Sequence, residues 1–187
     1  MKIVLAPNPV LSNKAKPVVK IDLQIQKLIK NLKTTLAGAS DPQGVGLAAP
    51  QIGEPYKIFI AKPTPKGKVM VFINPEIVKM DNPSQTFTRE RKVGKGRKQV
   101  QKLEGCLSLK DIWGTVLRSP KLTLKYLDEK GQTQTKEFRD FLATIIQHEY
   151  DHLNGILFPR RVLEQKGKLY KSSKDEKNED IFEEIKL

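Results

Sequence analysis

The chain's two histidines, His148 and His152, bracket a glutamate in Ile145-Ile-Gln-His-Glu-Tyr-Asp-His152, an H-E-x-x-H pattern. On a helix, positions four apart are offset by only about 40°, so both imidazoles can reach one metal ion. Glu149 falls to one side of them, about 60° from His152, where a carboxylate serves as general base without being a ligand. A partly exposed polar helix face would give the same pattern. A catalytic zinc-like site takes three protein ligands and keeps one position for water. The single cysteine, Cys106, in Glu104-Gly-Cys-Leu-Ser108, completes a His₂Cys set. Its alternative reading is an inert buried hydrophobe. Gly105 before it would let other backbone approach a crowded site closely.

Two neutral imidazoles and one thiolate hold an ion that lowers the pKa of bound water to about 7. Glu149 would take the water proton and later hand it to the leaving group. Phe141, Thr144 and Ile145 precede His148 by seven, four and three positions, on or beside the same helix face, and with Val45 they are candidates to line a substrate pocket. Core packing is the alternative for Phe141 and Ile145. The Thr144 hydroxyl has an easy partner in the carbonyl four residues earlier. Gly44 and Gly46 read as tight turns, as places where an extended peptide lies against backbone, or as both.

Three segments, GVGLAAPQIG (44–53), EGCLS (104–108) and QHEYDHLNG (147–155), resemble the three motifs of peptide deformylase, in that family's order. The likeness runs from about Pro9 to Phe158. It implies an α+β fold in which antiparallel sheets surround the helix bearing the histidines, with a further helix near the N-terminus. The implied activity is removal of the formyl group from the N-terminal methionine of new proteins, releasing formate. By resemblance, Cys106, His148 and His152 bind one divalent ion, iron(II) in the family, with zinc, nickel or cobalt as substitutes. Glu149 is the acid/base, and Gln51 with the backbone N–H of Leu107 stabilises the oxyanion. The pocket formed by Gly44, Val45, Gly46, Phe141, Thr144 and Ile145 would take the methionine. Glu104 and Arg118 would pair beneath the cysteine. The family usually has proline where this chain has Lys110. A metallopeptidase using the same helix, and a non-catalytic ribosome- or RNA-binding descendant, are the rival functions.

These residues need elements to position them. Asp22 caps a helix with apolar residues at 23, 28, 29, 32 and 36, ending near Gly38. Residues 38–53, with four glycines and two prolines, read as a shaped loop. Runs at 57–61 and 69–73 predict a hairpin closed off by Asn74-Pro75, with another strand at 76–80. Strands follow at 122–127 and 133–137, then a helix from about Asp140 to Leu153, stopped by Asn154-Gly155. Residues 1–163 form the catalytic domain in this reading. Residues 164–187 mix six lysines with seven acids and read as an amphipathic helix or a frayed tail.

At 187 residues the chain is one domain with room for a core. One cysteine excludes an intrachain disulfide and fits a reducing compartment. The absence of a long apolar run argues against a membrane span or signal peptide, so a cytoplasmic monomer is expected. Net charge is +13, and Thr88–Lys102, with seven basic residues against one acid, carries +6 of it. Within the 81–102 insertion, Arg89–Lys102 reads as a lid over the site, a ribosomal RNA contact, or a solvated loop.

Overall fold

The computed structural model describes residues 1–39, 43–84, 88–93, 96–101, 103–176 and 180–186; for 88–93 and 96–101 only the backbone is considered. Asp22 caps α1 (Leu23–Ala37), its Oδ1 accepting the Ile25 N–H at 3.0 Å, and Gly38 ends it. Ile25, Leu28, Ile29, Leu32 and Leu36 form the buried stripe that the sequence spacing predicts.

That stripe packs on one face of a five-stranded antiparallel sheet with order β1-β2-β3-β8-β9: β1 (Gly46–Ala48), β2 (Ile58–Ala61), β3 (Met70–Met80), β8 (Lys121–Leu127) and β9 (Thr133–Arg139). The other face receives α2 (Asp140–Leu153). This explains why β2, Ile-Phe-Ile-Ala, is apolar at every position. Ile58 and Ile60 join the α1 layer, and Phe59 and Ala61 join the α2 layer. Phe72 stacks on Phe59 at 4.6 Å, meets Tyr126 at a tilt of 51° and meets Phe138 edge-on. Burying such a ring contributes roughly 1.5–3 kcal/mol, and this aromatic floor supports α2.

A four-stranded antiparallel sheet, order β11-β10-β7-β6, carries the cysteine: β6 (Glu104–Cys106), β7 (Leu109–Gly114), β10 (Leu169–Lys174) and β11 (Asp180–Glu184). Cys106 lies in its core cluster with Val116, Leu169 and, from α3 (Phe158–Glu164), Phe158 and Val162. The α+β architecture is thus as expected, and no helix among the described residues is long and apolar enough to cross a membrane.

Three expectations need correction. Residues 46–52 are not loop but strand β1 followed by a 3-10 helix, Ala49–Ile52, with Pro50 in its first turn and Gly53 at φ 85° ending it. Asn74-Pro75 does not end a strand: β3 runs through it. Asn74 adopts φ 48°, its side chain accepts the Val18 N–H at 2.8 Å and donates to the Val18 carbonyl at 2.7 Å, and the register with β8 shifts between Ile73 and Glu76. The C-terminal segment is a β-hairpin rather than a helix. The free edge of β7 recruits β10, and opposite charges face each other in Lys174–Asp180 and Lys168–Glu184, both at 2.7 Å.

The basic segment forms a separate antiparallel hairpin, β4 (Thr88–Val93) and β5 (Gly96–Gln101), whose strands pair only with each other among the described residues. Lys95 and Lys102 lie outside the described residues.

Candidate metal centre

α2 presents its ligands because its two ends are fixed. At the start, the Asp140 N–H donates to the Pro120 carbonyl at 2.8 Å. At the end, Gly155 turns at φ 68° against the Ser12–Asn13 backbone, where a Cβ would sit 2.6 Å from the Ser12 carbonyl carbon. Midway, Gln147 accepts the Ser119 N–H and donates to the Ser119 carbonyl, each at 2.9 Å. Gln147 takes the face beside the histidines, so these bonds set the rotation of the helix about its axis.

The hairpin β6–β7 brings Cys106 to that face. Its Sγ lies 3.2 Å from Nε2 of His152, and Cys106, His148 and His152 each offer a ligand atom within 4.8 Å of the others. His152 is the deepest, only 1% exposed. His148 turns Nδ1 to Glu104 Oε1 at 2.7 Å, which leaves Nε2 for the centre. Glu104 in turn takes two bonds from Arg118, at 2.6 and 3.1 Å, as the pairing expectation holds. Arg118 also donates to Asp151 at 2.6 Å, and Arg161 of α3 reaches Asp151 at 2.7 Å.

The electrostatics follow from these contacts. Burial pushes the Glu104 carboxyl up, but Arg118 and His148 outweigh it and hold it well below the usual range. Burial likewise opposes the Arg118 charge, and Glu104 and Asp151 raise it further. Burial disfavours the Cys106 thiolate, yet His152 and His148 bring the thiol down to about 5. His148 keeps its proton well above the ordinary value: Glu104 and Cys106 outweigh burial. Glu149 goes the other way. Burial lifts it to about 7, with Cys106 and Glu104 adding and the two histidines only partly opposing.

Glu149 Oε2 and His152 Nδ1 are buried without a partner among the described residues. The Glu149 carboxylate lies against Gly46, where a Cβ would come within 2.8 Å of Cδ. Gly46 therefore makes room for an acid as well as forming strand. Gln51, 1% exposed, accepts the Ala48 N–H on Oε1 at 2.8 Å, which turns Nε2 toward Cys106 Sγ at 3.5 Å and Ser108 Oγ at 3.3 Å. A thiolate-prone sulfur, two imidazoles and an orphaned carboxylate oxygen suit a divalent ion of the zinc or iron(II) type.

A cavity of about 200 Å³ opens beside the cluster. Gly44, Val45, Gly46, Phe141, Thr144 and Ile145, with Gln51, Leu107 and Glu149, all line it. The Thr144 hydroxyl does reach the Asp140 carbonyl, at 3.4 Å. Gly44 is closed in by Leu36 and Leu107. Three residues of this region were not legible from sequence. Glu104 as the His148 partner and Trp113 as a cavity wall depend on strand pairing. Asp151 is 5% exposed and clamped by two guanidinium groups that lie far from it in sequence.

A buried His₂Cys cluster with a carboxylate and a side-chain amide at one cavity is the constellation of a metal-dependent amide hydrolase. The family model for polypeptide deformylase matches residues 1–168. A peptide deformylase of Pseudothermotoga lettingae is 40% identical over 157 residues, covering 84% of this chain and 80% of its own. The crystal structure of peptide deformylase from Thermotoga maritima superposes with TM-score 0.70 at 33% identity, covering 86% of this chain and 95% of that one. A Met-Ala-Ser-bound class I type b peptide deformylase from Acinetobacter baumannii gives 0.69 at 29%, covering 86% and 97%. The chain belongs to the polypeptide deformylase family and is a formyl-removing hydrolase. Neither rival function is favoured.

Proposed function

We propose that the protein hydrolyses the formyl group from N-formyl-methionyl nascent peptides, with Cys106, His148 and His152 holding one divalent ion. The observation that carries this reading is the convergence of the three donors beside a buried carboxylate oxygen that has no partner among the described residues. Bound there, a divalent ion supplies hydroxide near neutral pH and polarises the carbonyl. Iron(II) is the proposed native ion by family resemblance, with zinc, nickel and cobalt as alternatives.

Glu149 accepts the proton of the attacking water. Its raised affinity for a proton, near neutrality, matches a group that must take one and give it back. As attack places negative charge on the formyl oxygen, Gln51 Nε2 and the Leu107 backbone N–H donate to it. Gln51 is preorganised for this by Ala48, so little reorganisation accompanies charge development. Glu149 then protonates the departing amine of methionine, and formate leaves. Val45, Phe141, Thr144 and Ile145 enclose the methionine side chain, and Gly44 and Gly46 let the peptide backbone lie close.

We place the enzyme in the cytoplasm as a monomer, with the basic hairpin β4–β5 docking on ribosomal RNA where formylated chains emerge. A formyl-Met peptide assay on anaerobically purified protein, with metal analysis, tests the core reading. Formate without free amino acids is expected; amino-acid release would replace the reading with a peptidase.

A further inference from the structure

Trp113 is the only tryptophan in the chain, and its placement on β7 is built from both sides. On one side it pairs with Gly105 of β6, the residue before the cysteine, and its ring covers that glycine: a Cβ there would sit 2.7 Å from Cε3 and Cζ3. On the other side it pairs with Tyr170 of β10. Its Nε1 donates to Ser172 Oγ at 3.0 Å, and Phe182 of β11, directly across from Ser172, meets the indole edge-on with centroids 5.8 Å apart. By strand alternation Gly105, Trp113, Tyr170, Ser172 and Phe182 share one face of the four-stranded sheet. The C-terminal hairpin therefore fixes an aromatic wall of the metal-site cavity, which Trp113 lines together with Cys106 and Glu149.

Two features define what such a wall selects. The single polar atom of the ring is already bonded to Ser172, so the indole offers the cavity only carbon. Trp113 is half-buried, as are Val45, Phe141 and Thr144, so depth does not separate them; the indole enters the cavity from β7, whereas the methionine-pocket residues enter it from α2 and the start of β1. Successive side chains of an extended peptide point to opposite sides at about 3.3–3.6 Å per residue, so a peptide with its methionine against α2 turns the next side chain toward β7.

We propose that Trp113 is a specificity-determining residue that favours an apolar or aromatic side chain at the position after the formyl-methionine, and that Ser172 and Phe182 are its positioning residues. This rests on the deformylase reading above. Aromatic stacking of this kind corresponds to a preference of about two- to twelvefold.

The test compares kcat/KM for formyl-Met-Phe-Ser and formyl-Met-Ser-Ser in the metal-loaded enzyme. The wild type should prefer the phenylalanine peptide by that ratio, through KM. Trp113→Ala should bring the ratio close to one, Trp113→Phe should restore part of it, and Phe182→Ala should lower it with the indole itself intact. Independently, tryptophan emission of metal-loaded Glu149→Gln, excited selectively over the tyrosines, should change saturably on adding formyl-Met-Phe-Ser, since the one tryptophan is at the site. Phe182→Ala should red-shift emission of the free protein. If formate is released but Trp113→Ala keeps the wild-type ratio, or emission ignores the peptide, the assignment of Trp113 is wrong. If the wild type releases no formate from either peptide, the deformylase reading falls and this proposal with it.

Discussion

Glu149→Gln should stabilise the metal-free protein at alkaline pH while removing turnover. The carboxyl is lifted from 4.5 to about 7, chiefly by burial, and its Oε2 has no partner among the described residues. A raised folded-state value means that the native state holds the proton more tightly than the unfolded chain. The stability this contributes is fully present below about 4.5 and is lost as pH rises through about 7. At about 1.36 kcal/mol per pH unit, the loss across that window is about 3 kcal/mol. Between pH 5 and pH 8, most of it, about 2–3 kcal/mol, should appear. Glutamine has the same shape and no such titration. Urea denaturation of chelator-treated wild type and Glu149→Gln at pH 5 and pH 8 gives four free energies. Their double difference cancels the cost of burying the amide itself, since that cost is the same at both pH values. The variant should gain about 2–3 kcal/mol over wild type between the two conditions. A double difference near zero, or of opposite sign, would refute the claim that burial dominates this carboxyl. In the same variant, metal content should persist while turnover drops ~10²–10⁴-fold.

Cys106→Ala, His148→Ala and His152→Ala should each lose metal by elemental analysis together with activity, and Cys106→Ser should fare little better, because a hydroxyl is a far poorer anionic donor. Gly46→Ala should displace the Glu149 carboxylate it faces, lowering kcat at least tenfold with metal retained; full kcat would show that the carboxylate tolerates the added methyl. Asp151→Ala should cost about 3 kcal/mol in urea unfolding, the low end for a broken buried pair because Arg118 keeps Glu104. Neutralising Arg89, Arg91, Lys92, Lys95, Arg97 and Lys98 should weaken ribosome co-sedimentation and flatten its salt dependence while short-peptide turnover holds; a change in peptide KM instead would assign the hairpin to the site as a lid.

What the sequence disclosed depended on how local each signal is. The His148–Glu149–His152 geometry follows from helix periodicity alone, and α1 and α2 begin and end where Asp22, Gly38 and Asn154-Gly155 place them. The antiparallel pairs β2–β3 and β8–β9 were equally plain, whereas β6–β7, joined by only two residues, was not read as strands. Hidden from the sequence were features that depend on distant partners. Asn74 sits inside a strand because Val18, 56 positions away, supplies its bonds. The C-terminal hairpin forms because β7 has an open edge, a fact invisible in a stretch of mixed charge. The role of Asp151 stayed hidden because nothing near it in sequence announces Arg118 or Arg161. Motif recognition supplied Gln51 and Leu107, which spacing alone would not have selected.

The bond from the Ser119 amide to the Gln147 side chain has a consequence for exchange with solvent. Ser119 is fully buried, and its N–H is satisfied by a side chain of α2 rather than by a neighbouring strand. Its deuterium uptake must therefore wait for the helix to leave the sheet, not for the sheet edge to fray. That single amide becomes a clock for detachment of the histidine-bearing helix. It would separate openings that release the metal ligands from those that merely loosen the loops around them.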